Sequence, residues 1–244
     1  MRPRLALSLC LIAALWLGCA EAISAEPAAP GWQAVLVAGD NAQPVFDNAV
    51  NALAGWLGSQ GVPSRDIHRL SAAQQPSDPT IEPASAAHIL ARIATMGPRP
   101  GDRCLIFISS HGSRGEGVWL AYRQEFLQPD DLAQALSVGC RAAPTVVIVS
   151  SCYSGAFIGS AMQAPNRIIL SAARADRPSF GCQADRTYTV FDECLLAALK
   201  RAPTWRAVRG ASLDCVRARE RRLQVLPSQP QASFGVAVRD LAVR

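Results

Sequence analysis

CLIFISSHG (residues 104–112) and TVVIVSSCYSG (residues 145–155) are two apolar runs that each stop at a reactive side chain, His111 in the first and Cys152 in the second. Continuous Val/Ile/Leu/Phe runs of this length, bounded by Gly and Pro, read as strands buried on both faces, the pattern of a parallel sheet. In open α/β sheets, reactive groups collect in the crevice beyond the carboxyl ends of the strands. Strands ending in His111 and Cys152 therefore bring an imidazole and a thiol to one crevice, the juxtaposition that a thiol nucleophile and its base require.

Working outward, QAVLVAG (33–39) reads as a first strand that breaks into the turn cluster Asp40-Asn41-Ala42-Gln43-Pro44. Val45, Phe46, Ala49, Val50, Leu53, Trp56 and Leu57 then recur at helical spacing, and Gly61-Val62-Pro63 closes that helix. A short strand over 67–72, a Pro/Ser/Gln-rich loop over 73–83 and a helix over 85–96 precede the His111 strand. VWLAY (118–122) reads as a hairpin arm, and Pro129-Asp130-Asp131 starts a helix with its acids where the dipole favours them. After Cys152 come a strand over 167–171, helices over 190–201 and 211–223, and an edge strand over 234–238. Strands alternating with helices predict an α/β fold, a three-layer α/β/α sandwich with a mostly parallel sheet.

The 244 residues suit one domain with a good core, and a composition half hydrophobic and 18% charged excludes disorder. The net charge of +5 is carried by Arg, Lys200 being the single Lys, and no Lys/Arg block is interleaved with aromatics. No nucleic-acid footprint is therefore present, and Arg217, Arg219, Arg221 and Arg222 read as a solvated helix face. Arg2 and Arg4 precede the apolar run LALSLCLIAALWLG, and Ala20-Glu21-Ala22 fits a small-x-small cleavage site, so residues 1–22 read as an export signal. The run is shorter than the ~18 residues a spanning helix needs, so the mature chain is expected to carry no transmembrane helix. Leu17-Gly18-Cys19 resembles a lipoprotein site, but Trp16 sits where that signal wants an aliphatic residue, which makes lipid anchoring the lesser alternative. Residues 23–31 are expected to form a flexible lead-in and 32–244 the domain, in a periplasmic or secreted compartment that permits disulfides.

Without the signal six cysteines are left: Cys104, Cys140, Cys152, Cys182, Cys194 and Cys215. No CxxC occurs and the chain holds three His, so zinc-ligand spacing is absent. Cys104 opens one central strand and Cys140 lies just before the other, both at the sheet edge opposite the reactive one, which suggests a Cys104–Cys140 bridge. A second bridge is to be drawn from Cys182, Cys194 and Cys215.

A free thiol with a pKa near ~8.5 is only a few per cent thiolate at neutral pH. A neighbouring His stabilises the thiolate as an ion pair and later protonates the leaving amine. Gly112 lets a substrate backbone approach, and its N–H with that of Cys152 would form an oxyanion hole, in which one donor is worth about 3–4 kcal/mol. Ser154-Gly155 permit the tight turn that lifts the thiol out of its strand. His68, in a short outer strand, and His88, in a helix, offer no rival base.

The pair FISSHGSRGEGVWL (107–120) and VIVSSCYSGAFI (147–158) resembles the legumain family of cysteine peptidases, which has the caspase-type fold of clan CD. VAGDN (37–41) and SAARADRPSFGC (171–182) extend the resemblance over most of residues 33–195, the second being similar to the loop that lines the family's specificity pocket. The resemblance implies a caspase/haemoglobinase-like sandwich that cuts peptide or protein substrates, with Cys152 as nucleophile, His111 as base and acid, and no metal or cofactor. Family members that cut after Asn carry an acidic residue just after the nucleophile, where this chain has Tyr153. They also carry an Asn-Tyr-Arg-His run where this chain has Val45-Phe46-Asp47-Asn48. The pocket Arg and the orienting Asn are thus missing. Asp47, Asn48, Tyr153 and Ser179 become the candidates for the specificity pocket, and an Asp there would favour a basic residue. Asn41 and Asp40 are either candidates to orient His111 or plain turn residues.

An amine in place of water would turn the same chemistry into transpeptidation or transamidation. A caspase-fold binding module that has lost activity is favoured by the missing Asn and opposed by intact His111, Gly112 and Cys152. A redox protein is opposed by the lack of CxxC, and an α/β-hydrolase by the lack of a GxSxG elbow. No pattern fixes an oligomeric state.

Overall fold

The computed structural model describes residues 31–244, so the export signal and most of the lead-in lie outside the described residues. In chain order the elements are β1 (Trp32–Ala38), α1 (Val45–Ser59), β2 (Ile67–Ser71), β3 (Glu82–Pro83), α2 (Ala86–Ala94), β4 (Arg103–Ser109), β5 (Gly112–Ser113), β6 (Gly117–Leu120), β7 (Glu125–Leu127), α3 (Pro129–Gly139), β8 (Thr145–Ser150), β9 (Arg167–Ser171), α4 (Val190–Leu199), α5 (Trp205–Leu223) and β10 (Gln231–Phe234). Seven strands form the central sheet in the order β10-β9-β8-β4-β1-β2-β3, with β5-β6-β7 as a small separate sheet. All pairs in the large sheet are parallel except β10 with β9.

The unbroken apolar runs of β4 and β8 follow from coverage on both faces. Leu105 and Phe107 of β4 join a core with α1, α4 and α5, while Ile106 and Ile108 join a second core with α2 and α3. Each such side chain contributes about 1.5–3 kcal/mol when fully buried, so a polar residue within either run would be selected against. The result is a three-layer α/β/α sandwich with a caspase-like, mostly parallel sheet.

Two boundaries differ from the sequence expectation. α5 starts at Trp205, ahead of residue 211, because the Thr204 side chain caps it by accepting from Ala207 N and the Trp205 ring is fully buried. The edge strand is Gln231–Phe234, antiparallel to β9, rather than 234–238. Gly235 ends it: a Cβ there would lie 2.3 Å from the Ala164 carbonyl, and residues 236–238 coil into a 3₁₀ turn.

Cys104 and Cys140 form a disulfide with Cα atoms 6.2 Å apart, and Cys194 and Cys215 form another at 5.6 Å. The second bridge ties α4 to α5, which pack side by side, and it excludes Cys182, a disulfide candidate that is instead a free thiol. Cys182 lies in the loop ahead of α4. No helix among the described residues is long and apolar enough to cross a membrane.

Candidate active site

From β1 the chain first builds the sheet on one side, through β2 and β3, then returns to place β4 on the other side of β1. The crevice therefore opens beyond the carboxyl ends of β1 and β4, where the direction of winding reverses. β4 and β8 stay paired to their last residues, Ser109 opposite Ser150, and Ser110 N donates to Ser150 O at 3.1 Å. His111 and Cys152 thus leave the sheet at the same level, on strands about 5 Å apart.

The two loops touch directly. A Cβ built on Gly112 would lie 2.2 Å from Cys152 O and 3.0 Å from Ser151 Oγ, so the pairing of these backbones requires glycine. His111 is half-buried. Its carbonyl accepts from Trp119 N at 3.0 Å, and its ring stands edge-on to Phe46 of α1 with centroids 5.1 Å apart. The first contact fixes the His111 backbone, and the second packs against its imidazole.

Cys152, also half-buried, sits against Ser179: the Ser179 N–H donates to Sγ at 3.3 Å, the Ser179 hydroxyl lies 3.7 Å from it, and the thiol can donate to Ser179 O at 3.6 Å. Thiolate and thiol each find a partner there. Tyr153 adopts the left-handed conformation, φ 58° and ψ 12°, and its N–H donates to Arg177 O at 2.8 Å. Its ring lies under the Arg114 guanidinium at 5.4 Å. Ser154 Oγ, buried, donates to Ser151 O at 2.7 Å and accepts from Ala173 N at 3.2 Å. The loops 151–155 and 173–179 therefore clasp one another around the thiol.

The other sequence candidates lie at varying removes. Asp40 is buried, and its Oδ1 accepts from Ala42 N at 2.7 Å in an Asx turn; Asn41 is exposed on the same turn. Neither forms a hydrogen bond to the His111 ring among the described residues. Burial raises the Asp47 carboxyl above its usual range, partly offset by a hydrogen bond from the Ser71 hydroxyl at the end of β2. Asn48 Nδ2 donates to Thr187 O at 3.0 Å, joining α1 to the loop ahead of α4. Burial also pushes the free Cys182 thiol up to about 12, reinforced by the charges of Cys152, Asp192 and Asp40.

Two features escaped the sequence. Phe46 supports the His111 ring, yet its place in an apolar stripe marks it only as core. Asp192, in the first turn of α4, reads as an acid favoured by the helix dipole, but it is fully buried below the crevice, where Ser109 Oγ donates to its Oδ2 at 2.7 Å. Burial pushes its carboxyl up to about 6, against the lowering effect of the Ser109, Ser150 and Thr189 hydroxyls. The Ser-Ser doublets ending both strands were the available signal. No group of three or more His, Cys, Asp or Glu among the described residues is placed to hold a metal ion.

Residues 85–204 match the model of the Peptidase C13 family. The matched segment contains β4, the His111 loop, β8, the Cys152 loop, the 171–182 loop and α4. The chain matches no curated protein sequence.

Proposed function

Since the chain belongs to the peptidase C13 family, the legumain-like cysteine peptidases, we propose that it hydrolyses peptide bonds with a Cys152/His111 dyad. The observation that carries this is the direct contact of the two loops, Gly112 on the Cys152 backbone, at the ends of two strands in register. His111 takes the Cys152 proton, and the thiolate attacks the scissile carbonyl. The Gly112 and Cys152 N–H groups stabilise the oxyanion, and imidazolium protonates the leaving amine to leave a thioester. Water, deprotonated by His111, releases the acid. Phe46 packs on the ring and the Trp119 bond fixes the His111 backbone, in place of a third polar residue.

For specificity, Asp47 supplies the carboxylate that favours a basic P1 residue, since a substrate cation would relieve the cost of its burial.

Peptidyl acyloxymethyl ketones differing only at P1 test this, with intact mass as the readout and Cys152→Ala and His111→Ala proteins run in parallel. A single adduct that needs both residues is expected, with P1-Arg ahead of P1-Asn. Adducts that survive loss of His111 would exclude the dyad, and a P1-Asn preference would exclude the role of Asp47.

A further inference from the structure

Of the buried carboxyls, Asp102 is paired with Arg99 and also accepts from Gly31 N, and Glu220 accepts from Ser228 N. Asp192 has neither kind of partner. It is 0% exposed, no Lys, Arg or His among the described residues forms an ion pair with it, and its Oδ1 has no hydrogen-bond partner. A carboxyl is a costly group to place there, and an apolar side chain of similar size would pack with less penalty. Its surroundings give it a use. Ser109 and Ser150 are register partners at the last positions of β4 and β8, each two residues ahead of a dyad member. Ser109 Oγ donates to Asp192 Oδ2, and the Ser150 hydroxyl lies against the same carboxyl. The group is itself held rigidly: Asp192 N donates to Thr189 Oγ1 at 3.1 Å, and two residues on, Cys194 is bridged to α5.

We propose that Asp192 is a positioning residue, which sets the spacing between His111 and Cys152 by holding the Ser109 hydroxyl, at the end of the His111 strand, beside its register partner Ser150 at the end of the Cys152 strand. The inference rests on the dyad assignment above. A carboxyl is suited to the task because one oxygen accepts from the Ser109 hydroxyl while the other stays open to a donor on the adjacent strand, whereas an amide offers a single acceptor and a leucine none. A lateral slip of one strand relative to the other moves imidazole and thiol apart, and misplacement by 1 Å costs about 10²-fold in rate. Apart from the three hydroxyls, the titratable group facing Asp192 is the Cys182 thiol, which in turn feels Asp40 and Cys152.

The test is the pH–rate profile for carbamidomethylation of Cys152 by iodoacetamide, read by peptide mapping on the full chain, with thermal melting of each protein alongside. Wild type, His111→Ala, Asp192→Asn, Asp192→Leu and Ser109→Ala are compared. Wild type should show an alkylation plateau that depends on the imidazole, and His111→Ala should abolish it. Asp192→Asn, and Ser109→Ala from the other side of the same bond, should move the midpoint upward and slow labelling at neutral pH about tenfold, with melting within a few degrees of wild type. Asp192→Leu should slow labelling further without a loss of melting temperature. A plateau present in wild type and unchanged in folded Asp192→Asn and Ser109→Ala proteins overturns this inference alone. A wild-type protein without the plateau overturns the dyad, and the inference with it.

Discussion

Gly112→Ala is the substitution whose effect can be worked most directly from the geometry. The added methyl would start 2.2 Å from Cys152 O, whereas carbon and oxygen are comfortable beyond about 3.4 Å, so the two loops must part by about 1 Å. The proposed dyad depends on that approach. A displacement of this size costs about 10²-fold in rate, or about 2.7 kcal/mol on the barrier. Global stability should fall less steeply, because the clash lies at the sheet rim; overpacking of about 1–3 kcal/mol lowers the melting temperature by roughly 2–12 °C at this chain length. Gly115→Ala is the control. Gly115 has φ +80° but no atom within 4 Å of the added methyl, so its variant bears backbone strain without separating the loops. The assay is the second-order rate of Cys152 labelling by a peptidyl acyloxymethyl ketone, with melting measured in the same buffer. A Gly112→Ala protein that labels at the wild-type rate, or a Gly115→Ala protein that loses as much, would refute the reasoning.

Other outcomes follow from sulfur and carboxyl chemistry. Because burial holds the Cys182 thiol at about 12, brief iodoacetamide treatment at pH 7.5 should modify Cys152 and leave Cys182 unmodified; equal modification of both, seen by peptide mapping, would contradict its assigned environment. The Asp192 carboxyl titrates at about 6 when folded against a usual value of 3.8, so the native state holds this proton more tightly than the unfolded chain does. Its contribution to stability is therefore complete below pH 3.8 and is lost as pH rises to about 6. Asp192→Asn should flatten the melting temperature over that window relative to wild type, and parallel curves would count against it. Replacing Cys194 and Cys215 together by Ser opens a loop with a sequence separation of 21, which should cost about 3 kcal/mol in denaturant unfolding. A midpoint within error of wild type would mean that the bridge adds nothing.

The central strands were legible because both faces of β4 and β8 are covered, which forces continuous apolar runs, and because the runs end where the sheet ends. That placed His111 and Cys152 at one level from sequence alone. The clasp around the thiol was legible only in part: the likeness of 171–182 to a pocket loop pointed to Ser179, but its three contacts with Sγ depend on the left-handed turn at Tyr153. Asp192 was hidden because an acid in a first helical turn has a sufficient local reason to be there, and burial depends on which way the helix is rolled onto the sheet. Cys182 was likewise indistinguishable from Cys194 as a bridge partner, since the choice is made by the packing of α4 on α5. The edge strand was displaced because FGVAV has a more apolar pattern than QASF, while backbone space at Gly235 decided where pairing stopped.

The parallel sheet also acts as an insulator between oxidised and reduced sulfur. Cys140 and Cys152 are close in sequence, yet the six residues of β8 run between them and hold their sulfurs on the order of 20 Å apart at about 3.3 Å per residue. A thiolate breaks a disulfide only by colliding with one of its sulfur atoms. Cys152 is thus barred from the Cys104–Cys140 bridge by the length of a strand, while the Cys194 sulfur is itself buried in α4. Once the sheet has zipped, the chain can keep a reactive thiol and two cystines together without scrambling them. Before it zips, nothing but chain order protects the pairing, which makes closure of β4 on β8 the step after which the covalent pattern of the chain is permanent.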